Sequence, residues 1–126
     1  MRVLLDTHIV LWTFAGSPRI EPIRNTILSP ATEVFISVAS WWELAIKIGL
    51  GKIEADLLEL RWAAKESGFT ELPVLGEHTE YLMKLPPLHK DPFDRLLVAQ
   101  AIAEPMRLIT VDEKLENYSE LVWKIN

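Results

Sequence analysis

The chain has 126 residues, 49% of them hydrophobic, which suits one domain with a buried core and excludes a disordered segment. Its 13 Lys and Arg against 18 Asp and Glu leave a formal charge of −5, the wrong sign for a protein that holds nucleic acid non-specifically through a basic surface. The absence of cysteine excludes disulfides, thiolate zinc sites and Cys nucleophiles. No apolar run nears the roughly 18 residues of a bilayer span. The N-terminal residues do not read as a secretory signal, so a cytoplasmic protein of one domain, residues 1–126, is expected.

Arg2–Leu5 reads as a short buried strand ended by Asp6, and Thr7–Ala15 as an apolar helix stopped by Gly16. Ser17 and Pro18 supply an N-cap and a proline at the first helical position, which predicts a second helix to about Leu28, with Pro22 as an internal irregularity. Glu33–Ser37 is a second strand, followed by a helix over Ala39–Ile48 that ends at Gly49 and Gly51. Asp56 caps a helix to Ser67, with Gly68 as its stop. Phe69–Leu72 is a third strand, and Glu77–Leu85 a helix ended by Pro86 and Pro87. The stretch Leu88–Lys90 is loop, and Asp91-Pro92 starts a helix through Glu104. Arg107–Val111 is a fourth strand, Glu113–Asn117 a helical turn, and Val122–Ile125 a fifth strand. Strands alternating with helices predict an α/β three-layer sandwich around a mostly parallel sheet of four to five strands. Ligands of such sheets bind beyond the carboxyl ends of the strands, where the strand order reverses.

Four acids fall where that crevice should lie. Asp6 follows the first strand and Asp112 the fourth, Asp94 opens the helix after Asp91-Pro92, and Glu43 sits in the helix after the second strand. Each has an ordinary structural reading. Asp6 and Asp112 could cap the helical segments that follow them. Asp94, at the third helical position, could complete a capping box or favour the helix dipole, and Glu43 could pair with Lys47 one turn on. Together, however, four converging carboxylates repel one another unless a cation or protons neutralise them. A hard-metal site serving phosphodiester chemistry is therefore the leading expectation.

Thr7, Ser40 and Thr110 stand where they can orient these carboxylates, and Arg95 could meet a phosphate or pair with Asp91. His8, His78 and His89 share no ligand spacing and are expected on the surface or satisfied in the core. Most of the five Trp are expected in the core, but aromatics are also enriched at partner surfaces, for which Trp12, Trp41 and Trp42 are the candidates.

The segments Leu4-Leu5-Asp6-Thr7, Ser40-x-x-Glu43-Leu44, Asp94-x-x-Leu97-Val98-Ala99-x-Ala101 and Thr110-x-Asp112 resemble the PIN-domain nucleases, and among them the VapC-type toxins of toxin–antitoxin pairs. The likeness runs through nearly the whole chain in the right order. It implies a PIN fold, dependence on Mg²⁺ or Mn²⁺, endoribonuclease activity on an RNA substrate, a homodimer and neutralisation by a cognate antitoxin. Carried over, Asp6, Glu43, Asp94 and Asp112 match the acidic quartet: Asp6, Asp94 and Asp112 as metal ligands, Glu43 through water or a second metal. Thr7 and Thr110 match its polar companions, and Asp91 competes with Asp94 for the same role. Two other readings keep the topology without the chemistry: a catalytically silent interaction domain and a phospho-acceptor signalling domain.

Overall fold

The computed structural model describes residues 1–125. Its elements run β1 (Arg2–Leu5), α1 (Thr7–Ala15), a 3₁₀ segment (Pro18–Ile23) leading into α2 (Arg24–Leu28), β2 (Glu33–Ser37), α3 (Val38–Gly49), α4 (Leu57–Glu66) and β3 (Thr70–Leu72). They continue with α5 (Gly76–Lys84), α6 (Pro92–Ala103), β4 (Arg107–Thr110), a 3₁₀ turn (Glu113–Tyr118) and β5 (Val122–Lys124).

The strands form one parallel sheet in the order β3-β2-β1-β4-β5. Side chains alternate across it, and both faces are apolar. Val3, Leu5, Val34, Ile36 and Ile109 join one buried cluster with Ile9, Val10, Trp41 and Leu44 from α1 and α3. Leu4, Phe35, Leu72 and Leu108 join another with Leu97, Val98 and Ala101 from α6. A strand buried on both faces reads as a continuous apolar run, which is why Val3-Leu4-Leu5 and Val34-Phe35-Ile36 carry no polar alternation.

Strand order turns back at β1, which lies between β2 and β4 with Leu5 opposite both Ile36 and Ile109. The crevice at a parallel sheet's carboxyl edge opens at such a reversal. One expected element is broken in two. Pro22 has no N–H to bond back along a helix and its ring obstructs the preceding turn, so the chain stays 3₁₀ through Ile23 and becomes α-helical only at Arg24. At the end of α1, Gly16 takes the left-handed conformation (φ 66°) and its N–H returns to Thr13, a C-terminal turn that a side chain would strain.

Candidate active site

Each of the four acids is delivered by an element the fold has independent reason to build. Asp6 ends β1 and caps α1: its backbone N–H bonds to Ile109 O of β4 (3.0 Å) and its Oδ1 accepts the Ile9 N–H (3.1 Å). The same buried carboxylate takes a short hydrogen bond on Oδ2 from the Thr110 hydroxyl at the end of β4. Burial pushes its pKa above the ordinary aspartate value, against the lowering effect of the Thr110 bond. Capping and membership of the cluster are thus both true of Asp6.

Glu43 is buried on α3 with both oxygens engaged. Oε1 accepts from the Thr7 hydroxyl (2.6 Å), which also lies 3.1 Å from Ser40 Oγ, while Oε2 meets Lys47 Nζ at 2.8 Å. The Glu43 hydrogen bond holds the Lys47 pKa above its usual value despite partial burial.

Asp94 stands in the first turn of α6, whose N-cap is Asp91. Asp91 Oδ1 accepts the Phe93 and Asp94 N–H groups at 2.8 and 3.3 Å, so the cap role falls to Asp91 and leaves the Asp94 carboxylate free of backbone donors among the described residues. Burial, followed by the charges of Asp91, Asp6 and Glu43, raises the Asp94 pKa from 3.8 to about 7. Asp112 is opposite. Burial pushes it upward, but the Lys114 N–H, a hydrogen bond from His89 and the nearby charges outweigh that and hold it below the ordinary value.

His89 corrects the expectation of a surface or core role. Its Nε2 lies 2.7 Å from Asp112 Oδ2 and 3.3 Å from Asp94 Oδ2, bridging two of the quartet. Its Nδ1 accepts the Asp91 N–H at 3.0 Å, which places the ring proton on Nε2, facing the two carboxylates. Tyr118 fixes the loop by accepting the His89 N–H (2.9 Å). The ligand atoms of His89, Asp94 and Asp112 lie within 4.8 Å of one another. Because Nδ1 is already an acceptor, we read His89 as a donor to the carboxylates and not as a metal ligand. No local pattern reveals this residue, since its partner Asp112 is 23 positions away.

The Arg95 side chain does not pair with the Asp91 carboxylate among the described residues: its guanidinium reaches the Leu85 carbonyl (3.3 Å) on the α5 side. Trp41 is core, which removes it from the candidate partner surface. Trp12 is half-buried beneath Arg19, whose guanidinium sits 4.1 Å from the ring centre. Trp42 is 60% exposed and packs edge-on against Phe93.

The donor set fits a hard divalent cation. Asp6, Asp94 and Asp112 offer carboxylate oxygens, the ligands such ions prefer, and the charges of Asp91, Asp6 and Glu43 add to burial in disfavouring the Asp94 anion, a repulsion that a dication would relieve. The carboxylates at the strand-order reversal of this parallel α/β sheet form an acidic cluster that could hold a metal ion. A sequence model of the PIN domain family matches residues 3–121, and the chain belongs to that family. It is 28% identical to Ribonuclease VapC22 of Mycobacterium tuberculosis over 92% of this chain and 91% of that protein. In structure it is similar to VapBC2 of Rickettsia felis, solved bound to a DNA fragment from its promoter (TM-score 0.76, 20% identity, 100% of both chains). It also resembles a toxin–antitoxin complex from Klebsiella pneumoniae (TM-score 0.66, 21% identity, 98% of this chain and 99% of that one).

Proposed function

We propose that this chain is a divalent-metal-dependent endoribonuclease that acts as the toxin of a toxin–antitoxin pair. The observation that carries the reading is the clustering of Asp6, Asp94 and Asp112 around Thr110 and His89, with Asp94 pushed to about 7 by burial and then by the charges of Asp91, Asp6 and Glu43. Membership of the PIN family and the likeness to a protein named a ribonuclease support the reaction class. Likeness to VapBC structures supports an antitoxin partner. A homodimer is expected on the same grounds. Among the described residues no helix is long and apolar enough to cross a membrane, and we place the protein in the cytoplasm.

Asp6, Asp94 and Asp112 would hold Mg²⁺ or Mn²⁺. When bound, the ion supplies Lewis-acid activation of water and neutralises charge on the phosphodiester. The chain's own groups set the geometry. Thr110 aims Asp6 while its oxygen accepts the Asp112 N–H (3.1 Å), so one hydroxyl positions two ligands. His89 holds Asp94 and Asp112 together through Nε2. Thr7, itself beside Ser40, donates to Glu43; we assign Glu43 the role of orienting the attacking water, and hydrolysis by water would leave 5′-phosphate and 3′-hydroxyl ends. A phospho-acceptor domain would need a second acid beside the first, yet Asp6 is followed by Thr7, whose hydroxyl is committed to Glu43.

The test is cleavage of RNA by the purified chain with and without metal. Cleavage should require Mg²⁺ or Mn²⁺ and vanish in Asp94→Asn and Asp6→Asn while the far-ultraviolet circular dichroism stays native. Full activity in excess EDTA, or wild-type rates in both variants, refutes the assignment.

A further inference from the structure

Glu43 is 4% exposed, and neither of its oxygens is idle: Thr7 donates to one and Lys47 to the other. Of the four acids it is the one with a lysine as direct counter-charge, so the Lys47 ammonium stands where a cation would otherwise be needed. Lys47 lies one turn further along α3, at 2.8 Å from Glu43 Oε2, and its side chain keeps 34% of its surface exposed. The ammonium is therefore anchored on Glu43 and still partly open to solvent. An ammonium has three donors, of which Glu43 takes one. The carboxylates of Asp91 and Asp94 act on the same charge.

The other basic groups nearby are turned elsewhere or already used. Arg95 is held on the Leu85 carbonyl, and His89 spends its Nε2–H on Asp112 and Asp94. Lys47 is thus the lysine that the structure pairs directly with one of the four acids.

We infer that Lys47 fills the place of a second metal ion: the crevice takes one divalent cation, and the Lys47 ammonium, anchored by Glu43, is the companion charge that meets the phosphate to be cleaved. This rests on the metal-dependent reading above and deepens it. Two-metal sites clamp the attacking and leaving oxygens between two cations. Here the Glu43 oxygen that a second dication would require is occupied by an ammonium, a compact point charge suited to phosphate. Glu43 then acts through Lys47, as a positioning residue for the ammonium as well as for water.

The stoichiometry of Mn²⁺ on the full-length, EDTA-stripped chain decides the matter, read by calorimetric titration and by elemental analysis after dialysis. Wild type and Lys47→Arg should take up one Mn²⁺ per chain. Lys47→Ala leaves Glu43 uncompensated beside Asp91 and Asp94 and should take up two, while KM for a short RNA rises. Two Mn²⁺ on the wild type, or one on a folded Lys47→Ala, overturns the inference and leaves the metal-dependent nuclease reading intact. No Mn²⁺ on the wild type overturns both. Should Lys47→Ala fail to fold, Glu43→Gln decides: it should still bind one Mn²⁺, and loss of that ion would make Glu43 a ligand and refute the role given to Lys47.

Discussion

Asp94 is a residue whose protonation the crevice controls, and its charge state carries two linked consequences. In the metal-free protein its pKa stands at about 7 against an ordinary 3.8, because burial and the charges of Asp91, Asp6 and Glu43 disfavour the anion. Between those two values the folded state binds more protons than the unfolded chain, so this group's contribution to stability falls as pH rises through the window. The metal-free protein should therefore lose melting temperature from the acid end of that window to its top, and Asp94→Asn should flatten the trend. A rising trend that the variant leaves unchanged would count against the carboxylate cluster. Mn²⁺ affinity should move the other way and climb as Asp94 loses its proton. Asp6 sharpens the same point. Asn is as good an N-cap as Asp, so Asp6→Asn keeps the acceptor for Ile9 while removing a buried charge. The metal-free variant should melt at or above the wild-type temperature, and a clear drop would mean that the Thr110 bond outweighs the relief. The places of Asp6, Asp94 and Asp112 after strands and at a helix start, and of Glu43 inside the helix that follows β2, were legible in the sequence because they follow from local rules. His89 was not, since its role depends on how a loop folds against a 3₁₀ turn far along the chain.

At the scale of elements, the site depends on α3 and α6 keeping their relative position, since one carries Glu43 and the other Asp94. A buried polar link ties them. Ser37, the N-cap of α3, donates to Gln100 Oε1 of α6 at 2.6 Å, and Gln100 Nε2 donates to the Pro73 carbonyl at 3.2 Å. Gln100 is wholly buried, as is His78 beside it. Replacing Gln100 by Leu would strand the Ser37 hydroxyl and the Pro73 carbonyl without their partner, at a cost of about 1–3 kcal/mol. The urea midpoint should fall accordingly with no change in slope, and RNA cleavage should fall with it, because Glu43 and Asp94 lose their common support. An unchanged midpoint would show that the link is dispensable. Most elements were predictable to within a residue at each end, because caps such as Asp6, Asp56 and Asp91 and stops such as Gly16 and Gly68 act locally. The helix expected over Ser17–Leu28 failed at Pro22, where a missing donor overrode a favourable start. The Ser37–Gln100 link was beyond sequence reasoning, for it joins positions 63 residues apart across two layers.

For the whole molecule, one group of exposed apolar side chains lies on the outer surfaces of α3, its C-cap and α4. Trp42, Ile46 and Leu50 recur at helical spacing along α3 and are 60%, 40% and 65% exposed. Leu58 and Trp62 of α4 are exposed as well, and a stripe of this kind is unusual without a partner. Its upper end reaches Phe93, the neighbour of Asp94, through the edge-on contact of Trp42 at 4.9 Å. An antitoxin segment lying along α3 would therefore bury the stripe and arrive at the carboxylates. A basic side chain there would neutralise the acids in place of a metal. Aromatic anchors at the centre of an interface carry much of its affinity, commonly about 2 kcal/mol or more on truncation to Ala. Trp42→Ala should thus weaken antitoxin binding by roughly thirtyfold without altering the metal-free melting temperature, whereas Trp41→Ala should act by unfolding the core. Expression of the chain alone should slow growth, the upstream-encoded partner should restore it, and Trp42→Ala should escape that rescue. If the fluorescence of Trp42 is the same with and without the partner, α3 is not the antitoxin face, even where the nuclease assignment holds.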